Sequence, residues 1–140
     1  MKVYLASPFF NDKELDVLEK VEKILDDKGL TVFKPKDNQF FDELEVGSNP
    51  WSLATFNNDK KFIDWADIVV AVYHGNYSDS GTAWEIGYAY GTQKPVVVVH
   101  VGEASNLMIH EGSHANVTLE ELKDYDFNTM PSKEYKGEMF

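Results

Sequence analysis

The chain has 140 residues, 43% hydrophobic and 14% aromatic, which suffices for one compact domain, and we expect residues 1–140 to form it. The sequence has no cysteine, which excludes disulfides and thiolate chemistry, and its net charge of -11 argues against binding to nucleic-acid polymers. Because it shows neither a signal-peptide pattern nor an apolar stretch of the ~18–20 residues that span a membrane, we expect no membrane contact and a cytoplasmic location.

The first half of the chain alternates short apolar runs with helical patterns. Residues 2–6 predict a strand, and residues 11–28 carry apolar side chains at helical spacing before Gly29 ends the helix. Residues 30–33 predict a second strand. A polar loop over residues 34–47 then leads to a helix from Pro50 to about residue 66.

The second half repeats this alternation. Residues 68–73 are continuously apolar, as expected of a parallel strand covered on both faces, and the helix that follows ends near Gly91. Residues 96–101 and 116–118 predict two further strands, and residues 119–124 a short helix. The whole pattern predicts an α/β fold with an open, doubly wound parallel sheet of five strands.

The last thirteen residues, 128–140, have little periodicity and predict a loose tail. The tail nevertheless ends in Met139 and Phe140, two large apolar side chains that are unusual in a solvated terminus. Docking of the terminus into a cleft would explain this composition.

Two carboxylates stand where the third strand gives way to its helix. Asp79 lies just ahead of the helix, and Glu85 falls in its first two turns. The positive end of a helix favours an ionised carboxylate, so we expect Glu85 to be ionised and suited to act as a nucleophile. The alternative, which holds for most acidic residues in such positions, makes Glu85 a solvated helix residue and Asp79 an N-cap.

In sheets of order 2-1-3-4-5, ligands bind beyond the carboxyl ends of strands 1 and 3, where the winding reverses. Residues from four separate segments can meet there: Tyr4, Gln39, Asp79 and Glu85. Asp37 and Gln39 offer donors and acceptors for the edge of a base, although such a loop is more often only a turn.

The turn after the first strand contains Phe9 and Phe10 in place of glycines, so it cannot cradle a pyrophosphate as a dinucleotide-binding loop does. We therefore predict no nucleotide cofactor. The two aromatic rings suit stacking against a planar ligand, although core packing is the more common role of phenylalanine.

The histidines give no strong indication of a metal. His110 and His114 have the spacing of a helical metal pair, but Gly112 and Ser113 between them favour a loop, and no acidic third ligand is evident. His74 ends the third strand, where it either lines the crevice or lies on the surface. We predict no metal site and no cofactor.

Taken together, six segments in this order resemble the nucleoside 2-deoxyribosyltransferases, and the resemblance covers nearly the whole chain. The segments are Tyr4, residues 37–39 (Asp-Asn-Gln), 55–59 (Thr-Phe-Asn-Asn-Asp), 79–89 with Glu85, 106–108 (Asn-Leu-Met) and the terminal Phe140. The resemblance implies a flavodoxin-like five-stranded parallel sheet of order 2-1-3-4-5, flanked by helices.

The resemblance also implies an exchange reaction in nucleoside salvage, in which a 2′-deoxyribonucleoside gives its sugar to another purine or pyrimidine base. Glu85 corresponds to the nucleophile that forms a covalent deoxyribosyl intermediate with net retention of the β-anomer, and Tyr4 to the residue that orients it. Asp59 and Gln39 correspond to residues that meet the nucleobase, and Asp59 is our candidate for proton transfer. Asp79 corresponds to a carboxylate that holds sugar hydroxyls, and the sequence does not divide the proton transfer between Asp59 and Asp79.

Further residues are assigned to substrate binding by the same resemblance. Asn106 corresponds to a residue that a neighbouring subunit supplies to the sugar 5′-hydroxyl, and the carboxylate of Phe140 to a tail group that closes the site. Met108, in the Asn106 segment, and Phe9 complete the predicted set. A homo-oligomer follows, typically a hexamer. The relatives end in Tyr where this chain ends in Phe140, so only the carboxylate role carries over.

Two alternatives remain at the sequence level. A nucleoside or deoxynucleotide N-glycosidase would use the same Glu85 but transfer the sugar to water; a 5′-phosphate, however, would be repelled by Asp79 and the terminal carboxylate. A non-catalytic, flavodoxin-like module that binds a nucleotide is also compatible with the fold alone. The preference between purines and pyrimidines is not determined.

Overall fold

The computed structural model describes residues 1–39, 42–77 and 79–140. Residues 40 and 41, in the predicted loop over 34–47, lie outside the described residues, as does residue 78. Five strands of the described chain form one parallel sheet in the order β2-β1-β3-β4-β6. These strands are β1 (Lys2–Ala6), β2 (Thr31–Phe33), β3 (Ile68–His74), β4 (Val96–Val101) and β6 (Ala115–Val117). The predicted doubly wound order is confirmed, with β6 as the fifth strand of the sheet.

Five α-helices flank these strands in the described chain; four of them lie at the predicted places, whereas the helix over Leu107–Glu111 was not predicted. They are α1 (Asp12–Asp27), α2 (Asn49–Trp65), α3 (Ser80–Gly91), α4 (Leu107–Glu111) and α5 (Leu119–Asp124), with a short 3₁₀ helix at Pro35–Asp37. Each α-helix starts after a residue whose side chain accepts a hydrogen bond from the first turn: Asn11, Ser48, Asp79, Asn106 and Thr118, respectively. In the described ranges, no helix is both long and apolar enough to cross a membrane.

The helices cover both faces of the sheet. Helices α1 and α5 bury their apolar side chains on one face, and α2, α3 and α4 bury theirs on the other. Successive residues of a strand point to opposite faces, so Val3 and Leu5 face α1 while Tyr4 and Ala6 face α2 and α3. All seven residues of β3 are buried, as predicted for a central parallel strand.

The chain leaves β1 toward one edge of the sheet and returns to β3 on its other side, so the winding reverses between β1 and β3. The loops after these two strands diverge there and leave a crevice at their carboxyl ends. The fold thus places the ends of β1, β3 and the start of α3 around one opening.

The expectation of a loose C-terminal tail is wrong. Lys133 bridges to Ala115, and the ring of Tyr135 lies between His100 and His110, with ring centroids 4.6 and 4.8 Å away. Strand β7 (Glu138–Met139) then pairs in parallel with β5 (Ala104–Ser105). A pairing of two residues has no detectable periodicity, which explains why the sequence pattern missed it.

Candidate active site

A cavity of about 240 Å³ opens at the carboxyl ends of β1 and β3. Its walls come from the β1–α1 loop, the segment after β2, one face of α2 and the start of α3. The lining residues are Tyr4, Ser7, Phe9, Phe10, Pro35, Asn38, Gln39, Trp51, Thr55, Asn58, Asp59, Asp79, Gly81 and Glu85. The cavity therefore brings together six of the predicted site residues: Tyr4, Phe9, Gln39, Asp59, Asp79 and Glu85.

The centre of the cavity is a contact between a strand and a helix. The Tyr4 hydroxyl donates a hydrogen bond to Oε2 of Glu85. Tyr4 is fully buried in β1, and its ring stacks on Phe33 with centroids 5.6 Å apart. Because the Tyr4 ring is held by packing, its hydroxyl fixes the position of the Glu85 carboxylate.

The electrostatics at Glu85 contradict the expectation of a permanently ionised carboxylate. The pKa of Glu85 is raised to about 8: burial is the largest cause, the Tyr4 hydrogen bond acts in the opposite direction, and the charges of Asp59 and Asp79 add to the rise. Desolvation and neighbouring carboxylates thus outweigh the positive end of α3. Burial also raises the pKa of the Tyr4 hydroxyl, as do the charges of Glu85 and Asp59, so Tyr4 stays a hydrogen-bond donor.

Asp59 supplies a second carboxylate from the opposite wall. Burial raises the pKa of Asp59 to about 6, so about a tenth of these side chains still carry a proton at pH 7, far more than for an ordinary aspartate. Glu85 therefore holds its proton more tightly than Asp59, so the form with Glu85 ionised and Asp59 protonated is the minor one of the two singly protonated forms of the pair.

Asp79 has the structural role that the sequence left open. It is the N-cap of α3, and its Oδ2 accepts hydrogen bonds from the backbone N–H and the hydroxyl of Thr82, each at 2.8 Å. It also lines the cavity beside Glu85. Asp79 therefore caps helix α3 and also forms part of the cavity wall.

Three predicted residues lie outside the cavity. Asn106 caps α4 and accepts a hydrogen bond from the backbone N–H of Met108 at 2.9 Å. The backbone N–H of Leu107 donates to a carboxylate oxygen of Phe140 at 2.9 Å, so the tail ends beside Asn106. Met108 and Phe140 are 74% and 60% exposed. These residues form a separate group on the surface of the same chain.

The cavity also contains residues that the sequence reasoning missed. Counted from Trp51, Thr55, Asn58 and Asp59 follow after four, seven and eight residues. This helical spacing places all four on one face of α2, toward the cavity. That spacing was readable once Asp59 had been singled out. Asp37 is not among the described lining residues, whereas its neighbour Asn38 is.

The histidines do not meet the cavity in the described part of the chain. His74 is buried rather than on the surface, and its ring stacks on Tyr77. His110 is buried near the end of α4, and Nε2 of His114 lies 2.7 Å from the carbonyl oxygen of Met130. Among the described residues, no three His, Asp or Glu side chains are grouped to hold a metal.

The fold and the cavity define a class of protein. A flavodoxin-like sheet presents, at its switch point, a half-buried carboxylate fixed by a tyrosine hydroxyl and a second carboxylate of elevated pKa. Paired carboxylates of this kind serve in enzymes that cleave glycosidic bonds, where one attacks carbon and the other handles the proton.

The chain belongs to the nucleoside 2-deoxyribosyltransferase family, whose sequence profile matches residues 3–126. It is 28% identical to the nucleoside deoxyribosyltransferase of Lactobacillus leichmannii, over 99% of this chain and 97% of that protein. It is 30% identical to the nucleoside deoxyribosyltransferase of Limosilactobacillus fermentum, over 91% of this chain and 86% of that protein.

A solved structure agrees with this assignment. The 2-deoxyribosyltransferase of Bacillus psychrosaccharolyticus superposes with a TM-score of 0.90 and 45% sequence identity, covering 97% of this chain and all of that one. The predicted family, the flavodoxin-like fold and the assignment as a deoxyribosyl-transferring enzyme are confirmed.

Proposed function

We propose that the enzyme exchanges nucleobases on 2′-deoxyribonucleosides through a covalent deoxyribosyl-Glu85 intermediate. The observation that carries the proposal is the Glu85 carboxylate, held by the Tyr4 hydroxyl inside the cavity. In the first step a Glu85 oxygen forms a bond to C1′, and the C1′–N bond breaks with its electron pair going to the departing base. In the second step a new base displaces Glu85. Two inversions leave the β configuration unchanged.

Tyr4 positions the nucleophile in this scheme. Its hydroxyl occupies Oε2 of Glu85, which leaves Oε1 to attack. A donor that is fixed before the substrate binds needs no reorganisation during the reaction. The raised pKa of Tyr4 keeps the donated proton on the phenol throughout the working pH range.

Asp59 is the proposed acid and base for the nucleobase. Its raised pKa allows it to give a proton to a ring nitrogen as the first base leaves and to take one back from the second base. Gln39 lines the same cavity and offers amide groups to the edge of the base, and Phe9 offers an aromatic face for stacking. Asp79 is placed to hold the sugar hydroxyls beside Glu85.

The remaining residues lead us to propose a homo-oligomer, and specifically a hexamer. Asn106, Met108 and the Phe140 carboxylate are proposed to enter the cavity of a neighbouring subunit, where Asn106 meets the sugar 5′-hydroxyl. Three facts support this: the residues lie together, they are outside the cavity of their own chain, and Met108 and Phe140 expose most of their surface.

Hydrolysis uses the same intermediate, with water in place of the second base. The family assignment favours transfer over hydrolysis as the main reaction. The described cavity lining has three carboxylates and neither lysine nor arginine, which disfavours a 5′-phosphorylated substrate. We therefore propose nucleosides rather than nucleotides as donors.

Incubation with thymidine, with and without adenine, tests the proposal when all bases and nucleosides are followed by liquid chromatography. Formation of deoxyadenosine together with thymine, only when adenine is present, is the expected result. Release of thymine at the same rate without any new nucleoside would show a hydrolase, and no release of thymine would contradict the proposed donor.

A further inference from the structure

We propose that Glu14 is a positioning residue that ties together the two loops forming opposite parts of the cavity wall. The proposal rests on the function proposed above. Glu14 lies in the first turn of α1, on the other face of the sheet from α2 and α3, and it does not line the cavity. It would act on the reaction only through the loops that it contacts.

Glu14 is a buried carboxylate with a partner for each oxygen. It is 3% exposed, an unusual state for a glutamate. Its Oε1 accepts a hydrogen bond from the backbone N–H of Phe10 at 2.8 Å, and its Oε2 accepts one from the Tyr77 hydroxyl at 3.0 Å. The two partners belong to different loops: Phe10 follows β1 and Tyr77 follows β3.

Both loops carry residues of the cavity wall. Phe10 and Phe9 stack on each other with centroids 5.3 Å apart, and both line the cavity. Tyr77 precedes Asp79 by two positions in the chain. One side chain therefore links the loop of the aromatic wall to the loop that leads to Asp79.

Helix capping alone does not explain this arrangement. Asn11 is the N-cap of α1 and accepts from the backbone N–H of Glu14 at 2.9 Å, so the pair begins as a capping box. In a capping box the glutamate returns to the N–H of the N-cap itself. Here Glu14 instead accepts from the backbone N–H of Phe10, the residue before the N-cap. Its second oxygen accepts from the hydroxyl of Tyr77, 63 residues away.

The loop after β3 is anchored at two points. Its start packs against β5, and Tyr77 bonds it to Glu14 of α1. A Cβ at Gly75 would lie 1.6 Å from the carbonyl oxygen of Ala104, so the backbone there is in direct contact with β5. The buried His74 ring stacks on Tyr77 with centroids 5.4 Å apart. Phe10 and Tyr77 are themselves 75% and 41% exposed, so side-chain packing restrains them only in part, and the Glu14 bonds contribute to the separation of the two loops.

Glu14→Ala should raise the KM for thymidine by about tenfold or more and change kcat much less, because small displacements of binding groups are costly while Tyr4 and Glu85 stand on regular elements. Glu14→Gln should restore most of the loss, since its carbonyl can accept from Phe10 and its amide can donate to the Tyr77 oxygen. Tyr77→Phe removes one bond only and should raise KM by about two- to fivefold.

Asp12→Ala is the matched control. Asp12 lies in the same first turn of α1, where it shares the favourable interaction with the helix end, but it is exposed. It should leave KM unchanged within about twofold, the scatter expected of a surface substitution. Thermal melting of every variant separates loss of activity from loss of folded protein.

A folded Glu14→Ala enzyme with wild-type KM would overturn the proposal, as would an equal effect of Asp12→Ala or a Glu14→Gln enzyme as impaired as Glu14→Ala. If Glu14→Ala fails to fold, Tyr77→Phe decides, and an unchanged KM in that variant would overturn the proposal. A wild-type enzyme that releases no thymine contradicts the proposed function instead, so the two failures are distinguishable.

Discussion

Residues 104–108 and 138–140 form a surface group, here called the terminal edge. The cavity and the terminal edge differ in burial and in the type of side chain that they present. The cavity holds Tyr4, Asp59 and Glu85, whose pKa values are all raised by burial. The terminal edge instead exposes apolar side chains, with Met108 74% and Phe140 60% accessible. This difference agrees with the roles proposed above, in which the cavity attacks the sugar and the terminal edge meets a neighbouring subunit.

The two regions also differ in what they do to stability. Burying carboxylates without cations lowers stability, since the charged forms lose hydration. The terminal edge is held by short backbone pairing and little buried surface, so it adds little.

The largest effect should follow loss of the nucleophile. Glu85→Gln keeps an oxygen to accept the Tyr4 hydrogen bond but cannot form a stable ester with C1′, so base exchange should fall by at least about a thousandfold. The measurement is the rate of thymine release from thymidine. Glu111→Gln, at an exposed side chain, is the control and should retain activity. Substantial turnover in Glu85→Gln would remove Glu85 from its assigned role.

A smaller loss, about a hundredfold, is expected for Asp59→Asn, which removes the proposed proton donor. The pH profile of activity tests the role of Asp59 more specifically than the loss of activity does. The active form needs Glu85 ionised and Asp59 protonated, so kcat/KM of the wild type should be bell-shaped, with limbs near about 6 and about 8 that belong to the coupled pair.

Without the Asp59 charge, the fall at high pH should disappear and activity should rise to a plateau. The midpoint of that rise should lie below about 8, because Asp59 contributes to the raised pKa of Glu85. Retention of the high-pH limb in Asp59→Asn would assign the acid to another group, with Asp79 as the first candidate.

Deletion of Met139 and Phe140 tests the terminal edge. Exchange should fall by about tenfold or more, because a misplaced group at the sugar is costly, while the melting temperature changes by only a few degrees. Phe140→Ala is the matched variant, since it keeps the terminal carboxylate and the backbone bonds to Ser105 and Leu107. It should remain near wild-type activity. Equal loss in both variants would assign the role to the ring instead.

The smallest expected effect is on stability. The pKa of Glu85 is about 8 in the folded protein, against 4.5 for an ordinary glutamate, so the folded state holds a proton that the unfolded chain has released. The resulting loss of folding stability is absent below about pH 4.5, grows as the pH rises and is complete above about 8. Glu85→Gln should therefore raise the free energy of unfolding by on the order of a few kcal/mol at pH 8 and by much less at pH 5.

Urea denaturation at the two pH values measures this difference. A stability gain that is equal at pH 5 and pH 8, or larger at pH 5, would contradict the raised pKa. Glu19→Gln serves as the control here, because Glu19 is exposed on α1 and its removal should not change the pH dependence.

Much of this architecture could be predicted from the sequence, because each element carries its own local signals. Helix α3, for example, follows Asp79 as N-cap and an apolar strand, and both its ends were predicted. The topology then fixed which loops meet, so Tyr4 and Glu85 could be assigned to one site before any contact was known.

The missed features depend on contacts between distant segments. The pair of Glu14 and Tyr77 spans 63 residues and has no local pattern, and the pairing of β5 with β7 involves two residues on each side. The pKa of Glu85 depends on burial by surrounding elements, whereas the sequence showed only its place near a helix start. Trp51 is different, since its spacing from Asp59 on α2 was readable.

Mass spectrometry of the intact enzyme after mixing with thymidine, in the absence of any acceptor base, tests the covalent intermediate most directly. The account predicts an added mass of one deoxyribosyl group on the peptide that contains Glu85. This adduct should disappear when adenine is added and should be absent from Glu85→Gln. Thymine release without an adduct, or an adduct on a different residue, would contradict the assignment of Glu85 as the nucleophile.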